Sequence, residues 1–461
     1  MGYEGREDDS RGVFPMVDVM NWSDLLCDKR LGDGGAQGQA TRSVFVQDHD
    51  RIVFSAPFRR LANKTQVQPL YENDHVHHRL IHSIEVSSVG RSLAMRVGQW
   101  LADTDRIDRA QVHDLADIVQ AACVAHDIGN PPFGHSGEAA MGAWFTAGFA
   151  QGGGLLADLE DDLRPQFTGF EGNAQGFRIL TRLEMYRGGG GMRLSKATLG
   201  AFTKYPVTAS ARLRAMKGGA SYIGLKKFGI FQSELSRFAE VADALKLPDK
   251  GGYRARHPLV FLVEAADDIT YNIVDLEDAF ITGELSFDLV REVLLELTGK
   301  PNSGADDATP AETIAHLRAR SIGSAIEASV QAFQDNYAAI MEGRFSGDLT
   351  GASSLGPAFA RIRKMAATRI FTAPRKTELE ISGRRIIANV MSGILPVYEE
   401  LALRGWSPDG LSDHARQLVR ALALDLREVR DTESALHGLA DFTSGTTDRY
   451  ALRISRMLSG T

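Results

Sequence analysis

Apolar residues recur at helical spacing along most of the chain, and this pattern predicts a mainly α-helical protein. The clearest stripe lies in residues 78–101 and consists of Leu80, Ile84, Val89, Leu93, Val97 and Leu101. Further helices are predicted over 110–127, 136–147, 172–187, 258–281 and most of 359–460. We find no internal repeat and no strand-rich region with regular alternation.

Glycine, proline and acidic clusters separate these helices and predict loops. Residues 152–170 are rich in glycine and then in acidic residues, and 188–191 is a run of four glycines that predicts a hinge or exposed loop. Residues 300–310 and 346–357 are expected to be loops or short linkers. A short β-hairpin near 378–387 is the one exception that we expect within the helical C-terminal part.

Composition places the chain among soluble globular proteins, with 461 residues, 43% hydrophobic and 24% charged. The net charge of -7 disfavours a general electrostatic nucleic-acid binder, although a local basic groove remains compatible with it. No run of 18 apolar residues occurs, so we predict no transmembrane helix and no membrane partner. Only Cys27 and Cys123 are present, which fits a reducing cytoplasm and excludes a disulfide framework.

Residues 126–138 contain five side chains that can bind metals or move protons. They are His126, Asp127, His135, Glu138 and, more weakly, Asn130. A helix is predicted to end here, because a glycine and two prolines follow the His-Asp pair. The carbonyl end of a helix favours a cation, and a His-Asp pair suits Mn, Fe, Co, Zn or Mg. Cys123 could be a ligand in principle, but its apolar neighbours favour a small core residue.

Two further positions could complete a metal site. His82 is predicted to point inward, because its stripe continues through Val86 and Val89; taken alone, it would be a hydrogen-bonded core histidine. Asp267 and Asp268 lie in the middle of an apolar helix, where acids are costly unless paired or metal-bound. Helical periodicity does not decide between these two acids, although Tyr271 and Asp275 follow Asp267 on one face.

These residues resemble a known family. His82, His126-Asp127 and Asp267 match, in order, the H…HD…D signature of the HD superfamily of metal-dependent phosphohydrolases. Further segments are similar to bacterial deoxyguanosine triphosphate triphosphohydrolases, over roughly residues 40–455. They are Arg59-Arg60-Leu61-Ala62-Asn63-Lys64-Thr65-Gln66-Val67, Arg79-Leu80-Ile81-His82-Ser83, the string 126–138, Phe170-Glu171-Gly172-Asn173-Ala174-Gln175 and Thr447-Asp448-Arg449-Tyr450.

The resemblance implies an HD-domain helical core with additional helical lobes. It also implies hydrolysis of a deoxynucleoside triphosphate, dGTP first among them, to the deoxynucleoside and tripolyphosphate by attack of water at the α-phosphorus. His82, His126, Asp127 and Asp267 would hold a divalent metal, Mg or Mn, with Fe, Co and Zn as further candidates. Such a site would polarise the α-phosphate and activate water.

His135 matches the family's catalytic histidine, and Glu138 matches the acid that orients it. A carboxylate next to an imidazole is expected to raise its pKa. His135 would either protonate the leaving 5′ oxygen or guide the attacking water, and both roles stay open. Many relatives have a second histidine at Asn130, and the deoxyguanosine-specific branch tolerates asparagine there.

The remaining matched positions imply substrate contacts. The resemblance assigns Tyr271 and Asp275 to the 3′ hydroxyl, with Tyr271 also crowding the 2′ position. The other implied contacts are Gln66 and Val67 to base and sugar, Arg79 and Lys204 to phosphate, Tyr205 to sugar, Asn173 to the same pocket, and Arg449 to a neighbouring active site. A solvated surface charge is the alternative at several of these positions.

The resemblance also implies a homo-oligomer, with a hexamer as one candidate, and single-stranded DNA as a candidate activator. We expect an N-terminal extension over 1–40, partly disordered, a catalytic core with inserted loops over 41–300, and a C-terminal region over 301–461 that contributes to the oligomer and the active site. Two alternatives stay open. One is an HD-type phosphodiesterase or 5′-nucleotidase, and the other is a regulatory module that responds to nucleotide or single-stranded DNA through a basic surface at 212–227.

Overall fold

The computed structural model describes residues 19–32, 41–65, 78–185, 190–299, 308–370 and 374–460. Within these ranges the chain forms 22 α-helices and no β-strand, only isolated bridges such as the one between Arg30 and Ser195. The prediction of a mainly α-helical protein is therefore confirmed.

The helices vary from single turns to thirty residues. In chain order they are α1 (Trp22–Leu25), α2 (Val44–Val53), α3 (Ala56–Arg60), α4 (Arg79–Asp103), α5 (Gln111–Ala125), α6 (Gly134–Gln151), α7 (Gly154–Ala157), α8 (Arg164–Thr168), α9 (Gly172–Arg178), α10 (Lys196–Phe202), α11 (Ala209–Lys217), α12 (Leu235–Ala244), α13 (Val260–Ile281), α14 (Phe287–Thr298), α15 (Pro310–Asp335), α16 (Tyr337–Met341), α17 (Leu349–Ala352), α18 (Gly356–Met365), α19 (Pro374–Leu403), α20 (Asp413–Leu422), α21 (Thr432–Gly445) and α22 (Asp448–Ser459). Two π-helical segments, Ile179–Leu183 and Ala366–Ile370, continue α9 and α18.

Helices α4, α5 and α13 pack together; α4 and α13 carry His82 and Asp267, and the His126-Asp127 pair directly follows α5. A small residue permits their close approach. A Cβ placed on Gly90 of α4 would lie 2.4 Å from the Cys123 sulfur of α5 and 3.5 Å from Ala266 of α13. Cys123 is fully buried at this contact, as expected for a small core residue.

The buried face of α4 differs from the predicted stripe at one position. Ile84 is 51% exposed, whereas His82 is buried. The first turns of α4 bury Arg79 and His82, which bond to acids on the α5–α6 turn and on α13. The prediction that Ile84 faces the core was wrong, because the first turns of α4 face a polar site. The buried apolar face continues with Val86 and Val89.

Two apolar clusters form the core. The first joins residues of α4, α5 and α13 with residues of α14, α15 and α18, and the second joins α6 and α8 with α19, α21 and α22. Residues Trp22 and Leu25 of the N-terminal part belong to the first cluster. Both clusters combine residues from before and after position 300, and the three-part division of the chain stays a prediction.

Several predicted loops are helical. Residues 152–170 contain α7, the 3₁₀ turn Asp161–Leu163 and α8, and α17 lies within 346–357. The prediction of a hairpin near 378–387 was wrong, because α19 includes this segment. From the end of this segment onward, Ile387, Val390, Met391 and Ile394 are buried in the second cluster at helical spacing, and this packing outweighs the local alternation. Much of 1–40, 188–191 and 300–310 lies outside the described residues.

One stretch of α19, Glu380–Leu403, is long and apolar enough to cross a membrane if judged by length and composition only. In the fold it packs against α6, α21 and α22, as a core helix does.

Candidate active site

A cavity of about 410 Å³ lies where α4, α13 and the α5–α6 turn meet. Its lining brings together most of the residues that the sequence singled out. The predicted residues that line it are Arg79, His82, His126, Asp127, His135, Glu138, Asn173, Lys204, Tyr205, Asp267 and Tyr271. Residues from five separate parts of the chain therefore share one polar pocket.

His82, His126 and Asp267 form a group that could hold a metal ion. One ligand atom of each lies within 4.8 Å of the others. His82 Nε2 is 3.1 Å from Asp267 Oδ1, and His126 Nε2 is 3.6 Å from the same oxygen. Two imidazoles and a carboxylate at this spacing suit a divalent transition metal.

The orientation of His126 is set by the end of α5. Its Nδ1 lies 2.7 Å from the carbonyl oxygen of Cys123. Since a carbonyl oxygen only accepts, Nδ1 carries a proton, and Nε2 is left as the ring nitrogen that faces the cluster. Cys123 thus contributes its backbone to the site. Burial raises the pKa of its thiol, which favours the core role over a ligand role.

Asp127 lies beside this group, and its carboxylate is held by two neighbours. Arg79 donates to Oδ2 at 2.8 Å, and the Asn130 amide donates to Oδ1. Oδ1 is also 3.5 Å from His126 Nε2. Burial would raise the pKa of Asp127, but Arg79 and the two histidines outweigh it and lower that pKa. Its role as a fourth ligand stays a prediction.

The two adjacent acids of α13 have opposite environments. Burial would raise the pKa of Asp267, but His126 and His82 hold it well below its usual range. Burial raises the pKa of Asp268 to about 7, with Lys204 opposing and Asp267 adding to the rise. Asp268 accepts a hydrogen bond from Thr350 at 3.1 Å instead of facing the histidines. The helix rotation thus turns Asp267, and not Asp268, toward the cluster.

His135 and Glu138 lie in the first turn of α6. His135 Nε2 is 4.0 Å from Glu138 Oε2, and the His135 side chain is 85% exposed. Glu138 is buried and accepts the Gly172 N–H at 2.7 Å. Loss of bulk water around the ring, together with Lys227, lowers the pKa of His135, although the side chain itself is open to solvent. Glu138 raises this pKa as expected, but the net shift is downward.

Lys227 was predicted only as part of a basic surface, yet it lines the cavity. Its ammonium is 2.7 Å from Glu171 Oε2 and 3.6 Å from Glu138 Oε2. Burial, with the charge of Glu138, raises the pKa of Glu171 to about 7. Arg212 of the same surface donates to two backbone carbonyls near Lys226. The only sequence signal for Lys227 was its basic neighbourhood.

Lys204 is paired with Glu264, a carboxylate that the sequence analysis did not single out. Its ammonium lies 3.2 Å from Glu264 of α13, and Arg256 donates to the same carboxylate at 2.9 Å. Burial opposes the charge of Lys204, but Glu264 raises its pKa above the usual value. Tyr205 is buried beside this lysine. Glu264 lies one turn before Asp267 and Asp268 in the same apolar helix. A third acid in such a helix could have been recognised from the sequence as a candidate site residue.

The predicted sugar contacts are partly in the cavity. Tyr271 lines it and hydrogen-bonds Asp275, which is buried one turn further along α13. Burial and Asp275 raise the pKa of Tyr271. Arg449 is exposed at the start of α22 and is not part of the lining. Gln66 and Val67 lie outside the described residues.

Comparison with known proteins shows the family of this chain. Residues 79–163 match the HD domain family, a range that includes His82, the His126-Asp127 pair, His135 and Glu138. The chain is 40% identical over 460 residues to a deoxyguanosinetriphosphate triphosphohydrolase-like protein of Pseudomonas aeruginosa, covering 96% of this chain and 99% of that protein.

More distant relatives extend the match. A protein of the same description from Synechocystis is 38% identical over 453 residues, covering 96% of this chain and 99% of its own. A deoxyguanosinetriphosphate triphosphohydrolase of Klebsiella pneumoniae is 31% identical over 403 residues, covering 78% of this chain and 77% of its own. Identity at this level over nearly the whole length shows that the chain belongs to the deoxyguanosinetriphosphate triphosphohydrolase-like family of HD-domain proteins.

Proposed function

We propose that this chain hydrolyses deoxynucleoside triphosphates, with dGTP as the first candidate, to the deoxynucleoside and tripolyphosphate. The observation that carries the proposal is one cavity that combines the His82, His126 and Asp267 group with the His135 and Glu138 pair. The substrate class comes from the relatives, which are deoxyguanosinetriphosphate triphosphohydrolases or proteins described as similar to them.

The donor set fits a divalent metal, because His126 directs Nε2 into the group and Asp267 stays ionised. We propose His82, His126 and Asp267 as ligands and Asp127 as the fourth. A cation bound there, Mg or Mn first and Fe, Co or Zn as further candidates, would supply polarisation of the α-phosphate and a lowered pKa for bound water.

Three cations around the cavity would bind the triphosphate. Arg79, Lys204 and Lys227 each rest against a carboxylate, at 2.8, 3.2 and 2.7 Å respectively. Phosphate oxygens would replace or share these partners, and the fork of Arg79 suits two of them. The paired carboxylates neutralise much of the positive charge of these three side chains. We therefore propose that triphosphate binding needs the charge of the metal as well as these side chains.

His135 would move the proton. Its lowered pKa favours the neutral ring, and a neutral imidazole accepts a proton from the attacking water. Glu138, fixed by the Gly172 N–H, would orient the ring once the substrate closes the gap of 4.0 Å. The alternative role, donation to the leaving 5′ oxygen, requires the protonated ring.

The sugar would lie toward Tyr271. We propose that Tyr271 and Asp275, already hydrogen-bonded to each other, contact the 3′ hydroxyl, and that the Tyr271 ring excludes a 2′ hydroxyl. Asn173 and Tyr205 would line the same pocket. A site built in this way would reject ribonucleotides.

We also propose a cytoplasmic homo-oligomer, with a hexamer as one candidate and the exposed Arg449 reaching a neighbouring subunit. Light scattering would measure the mass of the assembly. Single-stranded DNA as an activator is a separate proposal, tested by stimulation with an oligonucleotide that weakens as salt rises.

Product identification tests the proposed reaction. The purified protein is incubated with each deoxynucleoside and ribonucleoside triphosphate, with Mg²⁺ or Mn²⁺, and products are separated by anion exchange. The expected products are tripolyphosphate and a deoxynucleoside, with no turnover by a His126→Ala control. Release of a monophosphate or orthophosphate would instead support a phosphodiesterase or nucleotidase.

A further inference from the structure

The turn between the two halves of the site adopts an unfavourable backbone conformation. Phe133 has φ of +63° and Gly134 has φ of +57°, directly before His135. The left-handed region is costly for a residue with a Cβ, so neighbours must hold Phe133 there. The placement of His135 relative to His126 and Asp127 depends on this turn.

Asp448 holds one end of the turn. This carboxylate is buried, only 1% exposed, at the first residue of α22. Oδ1 accepts the Phe133 N–H at 3.0 Å, and Oδ2 accepts the Thr65 N–H at 3.1 Å and the Thr65 hydroxyl at 2.5 Å. The side-chain cap of α22 is Thr447, so the Asp448 carboxylate is not needed to start its own helix.

Lys64 holds the other end of the same turn. Its buried amino group donates to the Asn130 carbonyl at 2.6 Å and to the Ser444 carbonyl at 2.7 Å. The segment of Lys64 and Thr65 is therefore bonded both to the turn and to the junction of α21 and α22. Both ends of the turn are tied to this junction, and the contact between Phe133 and Asp448 spans 315 residues of sequence.

We propose that Asp448 is a positioning residue, which sets the distance between the metal group and His135 through the Phe133 N–H. Through Thr65, which lines the cavity, it also fixes a second part of the cavity wall. One carboxylate thus links the turn before His135 to the part of the wall formed by Thr65. This inference rests on the proposed triphosphohydrolase function.

The test compares three variants of the full chain. In Asp448→Asn one oxygen becomes an amide nitrogen that cannot accept, so either Phe133 or Thr65 loses its partner. We expect kcat for dGTP to fall on the order of 10- to 100-fold, because small misplacements of reacting groups are costly. Mn²⁺ affinity should stay near wild type, because His82, His126 and Asp267 make no hydrogen bond to Asp448. The melting temperature should fall only modestly, because one hydrogen bond to a buried group is lost.

Thr65→Val removes only the hydroxyl donor, so KM is expected to rise with kcat close to wild type. Asp431→Asn is the matched control, since Asp431 caps α21 by accepting the Ser434 N–H and asparagine caps as well. It should leave kcat and KM unchanged. Hydrogen exchange of the peptide 128–138, followed by mass spectrometry, should accelerate in Asp448→Asn and not in the control.

Wild-type kcat and unchanged exchange in Asp448→Asn would overturn the inference. So would loss of Mn²⁺ binding together with a large fall in melting temperature, because that result indicates a structural role only. If the wild-type protein releases no tripolyphosphate, the proposed function fails, and the exchange of 128–138 alone decides whether Asp448 holds the turn.

Discussion

Gly129 lies in the turn that follows the His126-Asp127 pair, and it has no room for a side chain. A Cβ there would lie 2.1 Å from the Gly172 carbonyl oxygen and 2.2 Å from the Gly176 nitrogen, both backbone atoms of α9. Since non-bonded heavy atoms pack near 3.5 Å, Gly129→Ala must push α9 away by about 1 Å.

The cost follows from these contacts. Overpacking against backbone destabilises by about 1–3 kcal/mol. The same shift acts on the Gly172 N–H, whose 2.7 Å bond to the Glu138 carboxylate is worth about 1.5–3 kcal/mol. The gain from a less flexible unfolded chain is only about 0.4–1 kcal/mol. We therefore expect Gly129→Ala to lower the free energy of unfolding by about 3 kcal/mol. We also expect it to lower activity, because Glu138 loses the Gly172 N–H that fixes it.

Urea denaturation followed by circular dichroism measures this free energy. Gly323→Ala is the control, because Gly323 lies inside α15 with nothing within 4 Å of the added Cβ. Alanine there should stabilise the protein by about 0.5–1 kcal/mol. If Gly129→Ala were as stable as Gly323→Ala, the close packing of α9 on the metal-site turn would be wrong.

Three further predictions follow from the same site. Asp267→Asn should weaken Mn²⁺ binding by about 100-fold or more in calorimetric titration, whereas Asp268→Asn should have little effect; equal losses would contradict the orientation of α13. His135→Gln should lower kcat by about 10²- to 10⁴-fold with Mn²⁺ affinity unchanged, and a retained kcat would exclude His135 as the proton carrier. Burial lowers the pKa of Lys64 to about 7, so between pH 7 and 10 the unfolded chain binds more protons than the folded one. Wild type should therefore gain up to about 3 kcal/mol of stability relative to Lys64→Met over that range, and parallel pH curves would refute this burial.

The long helices could be predicted because their apolar spacing reflects burial. The predictions of α4, α5 and α13 were confirmed in this way. Predictions failed where a contact distant in sequence determined which residues are buried. Ile84 lies on the predicted stripe of α4 but is exposed, since His82 and Arg79 take the buried positions for polar reasons. The hairpin near 378–387 failed because packing of α19 in the second cluster outweighs its local alternation.

The site could be predicted where its residues occur in one motif. The string 126–138 contains both His126 and His135, and only the rotation of α13 separates Asp267 from Asp268. Asp448 and Lys227 could not be assigned in this way, because their partners are distant in sequence. A contact between residues 133 and 448 leaves no local pattern.

Hydrolysis in ¹⁸O-labelled water tests the central claim most directly. The wild-type protein, dGTP and Mn²⁺ are incubated in labelled water, and both products are examined by mass spectrometry. Attack at the α-phosphorus predicts one ¹⁸O atom in tripolyphosphate and none in deoxyguanosine. Label in the 5′ hydroxyl of the nucleoside, or pyrophosphate and a monophosphate as products, would contradict the proposed reaction.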